Sequence, residues 1–215
     1  MSHKWQRKYR VIGVVIGCLV ILAAITYTVA PLRHNVRTVI TTVAARIIPA
    51  SNTPFPAINT AGLTKQQRSI IELVHAQYDK HPISYDQAVL TYTQNTKEAW
   101  CADFASWIMM KSGVPYSNPN SGSWRIPGVY TLQSYYKAHG RYVSVGHYRP
   151  QVGDIAFYIG WHTFDLFSTQ HVTIVIKVDG NQMTTIGGNE DGRIRIDTQP
   201  IKAGENSLVG FGKLQ

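Results

Sequence analysis

His171-Val172-Thr173-Ile174-Val175-Ile176-Lys177-Val178-Asp179-Gly180-Asn181-Gln182-Met183-Thr184-Thr185-Ile186-Gly187-Gly188-Asn189 decides the fold. Residues 172–178 are rich in β-branched side chains, and 183–186 form a second short apolar run. Between them, Asp179-Gly180-Asn181 supplies residue types that accept the positive φ of a tight hairpin turn. The two runs therefore read as antiparallel strands. Working outward, residues 141–145, 154–159 and 193–198 show alternation or short apolar runs, and 211–214 offers a last strand.

Before Gly140 the period changes. Thr64, with Gln67 three residues on, has the signature of a capping box. Ile70, Ile71, Val74 and Tyr78 then line one face, so the spacing predicts a helix over 64–80. Residues 81–99 read as a loop. A second helix is expected over 101–112, with Ala105, Ile108, Met109 and Ser112 at core spacing and Gly113 as its stop. A third covers 129–139 and ends at Gly140. Helices first and an antiparallel sheet afterwards predict an α+β domain over 64–215.

The N-terminal quarter has another character. Lys4, Arg7, Lys8 and Arg10 make residues 1–10 a basic tail, and residues 11–30 carry no charge. At about 1.5 Å per residue such a run spans roughly 30 Å, the thickness of a hydrocarbon core. The expectation is one transmembrane helix over 11–30. A cleavable signal peptide is the rival reading; its apolar core would be shorter, about 7–15 residues. Residues 31–48 read as a juxtamembrane helix with Leu32, Val36, Val39, Ile40, Val43 and Ile47 at helical spacing. Residues 49–63, with three prolines, read as a linker.

The net charge of +9 sits mostly at this end. Residues 1–46 hold seven of the 21 Lys/Arg and none of the 12 Asp/Glu, leaving 14 against 12 for the rest. The basic excess suits anionic headgroups and argues against a nucleic-acid-binding domain. The four basic residues ahead of the run favour a cytoplasmic N-terminus and an extracytoplasmic domain.

Chemistry gathers around Cys101, in Trp100-Cys101-Ala102-Asp103-Phe104. The other cysteine, Cys18, lies in the apolar run, so Cys101 has no disulfide partner. A lone thiol is a small packed side chain or a nucleophile. At the first turn of a helix, unpaired N–H groups and the positive dipole end favour the thiolate, which is the attacking species. The Cys101 backbone N–H is the default oxyanion donor, and Asn95 or Gln94 upstream offers a second. His171 opens a strand, where a rigid backbone can aim a base at the thiol. His75, His81, His139, His147 and His162 compete for that role. Asn189, after the paired strand, is placed to orient the imidazole, or is a turn residue beside Gly187 and Gly188. Asp154 reads as structural, holding backbone at a strand start. Trp124, Tyr130, Tyr135 and Tyr136 read as core or as groove.

An acid-x-Trp-Cys-Ala helix start, Gly153-Asp154-Ile155-Ala156-Phe157-Tyr158, the His-Val-x-Ile-Val strand, the hairpin, Ile186-Gly187-Gly188-Asn189 and a terminal Gly-Phe-Gly follow one another. In that order they resemble a CHAP domain, the cysteine- and histidine-dependent amidohydrolase/peptidase group. The resemblance implies a papain-like fold and cleavage of an amide bond in peptidoglycan, as an amidase at muramoyl-L-alanine or an endopeptidase in the stem or cross-bridge. It implies Cys101 as nucleophile, His171 as base and Asn189 as the polar residue of a Glu-Gly-Asn motif. Gly187 stands at that motif's glutamate position, and Glu190 and Asp191 lie beyond Asn189. Residues 92–100 contain no aspartate, so neither metal nor cofactor is expected. The expected protein is a single-pass cell-membrane hydrolase of the wall; the alternative is a catalytically weak or inactive wall-binding domain.

Overall fold

In the computed structural model, the described residues are 54–80, 84–159, 170–190, 192–203 and 207–214. The expected transmembrane and juxtamembrane segments lie outside them, and so do His81 and His162. Among the described residues, no helix is long and apolar enough to cross a membrane.

Four helices precede the sheet: α1 (Lys65–Asp79), α2 (Tyr85–Tyr92), α3 (Cys101–Lys111) and α4 (Val129–Ala138). The strands are β1 (Tyr142–Ser144), β2 (Ile155–Ile159), β3 (Gln170–Asp179), β4 (Gln182–Glu190), β5 (Arg193–Pro200) and β6 (Leu208–Gly212). They form one six-stranded antiparallel sheet in the order β1-β6-β2-β3-β4-β5. The α+β class with helices packed on an antiparallel sheet is as expected.

Local signals set the helix ends. Thr64 Oγ1 accepts from the Gln67 N–H at 3.2 Å, and Gln67 Oε1 accepts from the Thr64 N–H at 2.9 Å. Gly113, at φ +81°, closes α3, and the Val114 N–H bonds the Met109 carbonyl at 3.0 Å.

Two elements differ from expectation. Residues 85–92, read as loop, form α2. Ser84 and Gln87 make a second capping box, with bonds of 2.8 and 3.2 Å, so the signal was present in Ser84-Tyr85-Asp86-Gln87. The last strand begins at Leu208 rather than 211. Gly210 and Gly212 weaken it as a sequence pattern, yet both are required. A Cβ at 210 would lie 2.5 Å from the Tyr142 hydroxyl, and one at 212 would lie 2.7 Å from the Tyr136 ring.

The main core lies between the helices and one sheet face. It includes Ile70, Val74, Trp100, Phe104, Ile108, Leu132, Phe157, Val172, Ile174 and Ile186. Full burial of each such side chain contributes about 1.5–3 kcal/mol. Around the start of α3 the packing is aromatic. Trp100 stacks on Tyr92 with ring centroids 5.4 Å apart, and Phe104 meets Tyr92 edge-on at 5.2 Å. Gly188 completes this contact from β4: a Cβ there would stand 2.5 Å from the Trp100 ring and 2.6 Å from Phe104 Cβ. Helix α3, which begins at Cys101, is thereby seated directly on the strand that ends at Glu190.

Candidate active site

Cys101 is the first residue of α3, buried, and without a disulfide. Trp100 occupies the N-cap position and contributes no side-chain cap bond. The first intrahelical bond runs from the Phe104 N–H to the Trp100 carbonyl at 2.9 Å. The positive end of the helix is therefore directed at the thiol's own turn.

His171 is held by β3, in register with Tyr158 of β2. It is buried, and its ring hydrogen-bonds Cys101. Its Nε2 lies 3.2 Å from Glu190 Oε1, with both side chains almost fully enclosed. The ring thus meets two partners, the Glu190 carboxylate at Nε2 and the Cys101 thiol. Burial alone would lower the imidazole pKa, but the bonds to Cys101 and Glu190 and the charges of both outweigh it. The result is a value raised to about 10. This environment favours the protonated imidazolium.

The partner of His171 corrects one expectation. Asn189 is the expected partner of the imidazole; the side chain that meets Nε2 is Glu190. The reason is a break in strand register. Ile174 pairs with Ile186, and continuing that alternation would set Asn189 opposite His171. The ladder of β4 with β5 shifts between Gly187 and Glu190, and Asn189 takes a left-handed backbone at φ +59°. A bulge of this kind re-aims the next side chain. Glu190 is consequently directed at the histidine, and Asn189 is buried within the bulge.

Gly187 belongs to the same arrangement. A Cβ at 187 would collide with Glu190 Oε1 and lie 2.9 Å from Thr173 Cγ2. The carboxylate that is absent from position 187 is delivered into the same space by residue 190. Burial raises the Glu190 pKa; its bond to His171 opposes that effect, while a hydrogen bond to Asp197 reinforces it.

Asn95 does not join the thiol. It is exposed at the end of α2, with φ +67°, and its N–H donates to the Val89 carbonyl at 3.2 Å. It forms no side-chain hydrogen bond among the described residues. Gln94, at φ +53° and also exposed, shares this turn. Their role here is to reverse the chain between α2 and α3.

The remaining candidates sort by contact. Asp154 holds backbone, as expected: it accepts from the N–H groups of Gln151 and Leu214, each at 2.8 Å, and from the Tyr148 hydroxyl at 2.9 Å. Tyr135 and Tyr136 are core residues, and Tyr136 shares a buried 2.9 Å hydroxyl contact with Tyr116. Tyr130 is exposed. His75 pairs with Asp79 on the surface, His139 packs on Tyr135, and His147 is exposed. Among the described residues, no group of three His, Cys, Asp or Glu side chains could hold a metal ion.

Sequence reasoning missed Arg125. Its Nε donates to Asp103 Oδ1 at 2.6 Å, and its Nη2 donates to Glu98 Oε1. Nothing in the local pattern of residues 118–126 marks it, because both partners come from another part of the chain.

No curated protein and no solved structure matches the chain. A family model does: the CHAP domain, over residues 92–189. The matched stretch begins at the last residue of α2, contains Cys101 and His171, and stops one residue short of Glu190. The helix-start cysteine and the strand-start histidine both fall within residues 92–189, the stretch of this chain that the CHAP domain model matches.

Proposed function

We propose that the chain hydrolyses an amide bond of peptidoglycan, with Cys101 as nucleophile, His171 as acid and base, and Glu190 as the group that orients the imidazole. CHAP domains are generally amidase or peptidase hydrolases and act on peptidoglycan. The observation that carries the mechanism is the position of His171 between Cys101 and Glu190.

The chemistry follows from that placement. The Cys101 thiolate adds to the carbonyl carbon, and the carbonyl π electrons move to oxygen. The N–H groups at the start of α3, that of Cys101 among them, are the donors for this oxyanion. As the tetrahedral intermediate collapses, the C–N bond breaks and the His171 imidazolium gives its proton to the departing nitrogen. The thioester remains. Neutral His171 then takes a proton from water, whose oxygen attacks the thioester, and the thiolate leaves. Glu190, bonded to Nε2, holds the ring so that its other nitrogen faces the sulfur in both halves.

The Glu190 carboxylate at His171, in place of one at 187, supports hydrolysis over the wall-binding alternative. The reading extends to placement: residues 11–30 anchor the chain in the membrane and hold the domain outside the cytoplasm. Their uncharged run and basic flank support it. A tether makes nearby wall an effectively intramolecular substrate.

The test is digestion of purified peptidoglycan by the full chain, with products identified by mass. New amine termini are expected with wild type and none with Cys101→Ala. Equal product from both proteins would remove the cysteine mechanism. Protease accessibility of the domain in intact cells tests the topology; protection until lysis would place it inside.

A further inference from the structure

Asp103 is fully buried two residues after the nucleophile, and its Oδ2 has no hydrogen-bond partner among the described residues. Arg125 meets its other oxygen at 2.6 Å and also bonds Glu98. Glu98 lies three residues before Cys101 and Asp103 two after it. One guanidinium thus grips both sides of the turn that presents the thiol.

Arg125 is itself anchored. Its carbonyl accepts from Asn118 Nδ2 at 2.6 Å, and the next N–H, that of Ile126, donates to Ser106 Oγ on α3 at 3.2 Å. The loop carrying the guanidinium is therefore tied to the helix one turn beyond Asp103. A fully buried carboxylate requires a compensating charge, and Arg125 is the cation in contact with it.

The charged groups described around Cys101 come from several elements. His171 approaches from β3 with Glu190 of β4 behind it, Asp103 lies on α3 itself, and Glu98 and Arg125 come from the flanking loops. Burial first, and the charge of Cys101 after it, push the Asp103 carboxyl up to about 8. The guanidinium opposes this by offsetting the Asp103 charge.

We propose that Arg125 is a positioning residue for the nucleophile: by neutralising Asp103 and clamping the Glu98–Asp103 turn, it keeps Cys101 in its reactive thiolate form. Arg125 acts through Asp103 and touches no reacting atom. The proposal rests on the reading of Cys101 as nucleophile.

The test is the pH dependence of Cys101 alkylation by iodoacetamide in the full chain. Mass spectrometry of the Cys101 peptide separates it from Cys18. In wild type, the midpoint is expected well below that of an ordinary thiol, about 8.5. An ordinary midpoint there would remove the proposed nucleophile itself, whatever Arg125 does. Arg125→Met is expected to raise the midpoint by roughly one pH unit or more, and Arg125→Lys by less. The double variant Asp103→Asn with Arg125→Met should return most of the shift, because the charge needing compensation is gone.

A strap with only a structural role would slow alkylation at every pH with an unchanged midpoint, and the double variant would be no better; that result overturns the proposal. Should Arg125→Met fail to fold, as judged by circular dichroism, Asp103→Asn alone decides. It is expected to lower the midpoint, and an unchanged or raised midpoint overturns the proposal.

Discussion

The first turn of α3 and the last turn of β4 face each other across His171, and they were built by different rules. At α3 the start of the helix at Cys101 is set close by in sequence, and Gly188 and Arg125 add contacts from elsewhere in the chain. The helix starts at the thiol, Trp100 and Phe104 seal the turn into the aromatic core, and the dipole follows from the helix itself. At β4 the placement of Glu190 depends on a ladder that slips between Gly187 and Glu190, on a left-handed Asn189, and on the space above Gly187. The thiol is positioned largely by local structure. The carboxylate that meets His171 is positioned by pairing between strands. A one-residue slip in that pairing changes which side chain arrives.

The largest expected effect falls on the local side. Cys101→Ala and His171→Ala should each lower hydrolysis by about 10⁴-fold or more, as members of one catalytic unit do. Circular dichroism should report an intact fold for both. Retention of more than a tenth of wild-type turnover by either would break the mechanism.

The β4 side is sharpened by separating neighbours. Glu190→Gln is expected to lower kcat by roughly 10²-fold, since the orienting member is usually the least costly of the three. Asn189→Ala should cost less than Glu190→Gln, because Asn189 serves the bulge rather than the imidazole. The reverse order would restore Asn189 as the orienting residue. Gly187→Ala has no strained φ to contend with, so its effect comes from displacing the Glu190 carboxylate. A loss of kcat larger than its loss in stability is expected.

The charge state of the pair is read by pH. The proposed mechanism requires His171 protonated and Cys101 ionised. The raised imidazole pKa, to about 10, puts the alkaline limb of kcat/KM near that pH, and protonation of the thiolate sets the acid limb. For stability the sign is the same. A folded-state value above the unfolded one, about 6.5, contributes stability that is complete below about 6.5 and lost as pH rises through about 10. His171→Ala should flatten that loss in thermal melts taken between pH 7 and 10.

The smallest effect tests α2, which leads into the nucleophile's turn. Ser84→Ala removes one half of its capping box and is expected to cost about 1 kcal/mol in chemical denaturation, with kcat unchanged. A larger loss in activity than in stability would tie α2 to the geometry of the site.

Much of the fold was legible because it rests on local pattern. The Thr64–Gln67 box, the apolar spacing of α3, the Gly113 and Gly140 stops and the Asp179–Asn181 hairpin each state their conformation within a few residues. Helix α2 was equally legible in Ser84 and Gln87, but its short, mixed core face masked it. Strand β6 was obscured by Gly210 and Gly212, whose reason is two tyrosines elsewhere in the chain, Tyr142 and Tyr136. In the site, Cys101 and His171 stood out through their residue types at the starts of elements. Asn189 was favoured over Glu190 because straight alternation points to it, and no residue type announces a bulge with certainty.

From its residues alone, then, the chain determined the succession of helices and strands, the thiol at a helix start and the histidine at a strand start. These depend on interactions over a few residues, which composition and spacing record. Only the tertiary structure decided that Glu190 reaches His171 and that Arg125 bridges Glu98 and Asp103. Both contacts depend on backbone offsets between segments 19 to 27 residues apart, as the His171–Glu190, Arg125–Asp103 and Arg125–Glu98 separations show. Such offsets are set by how the sheet ladder slips and how a loop is tied to a helix, and no local pattern encodes either.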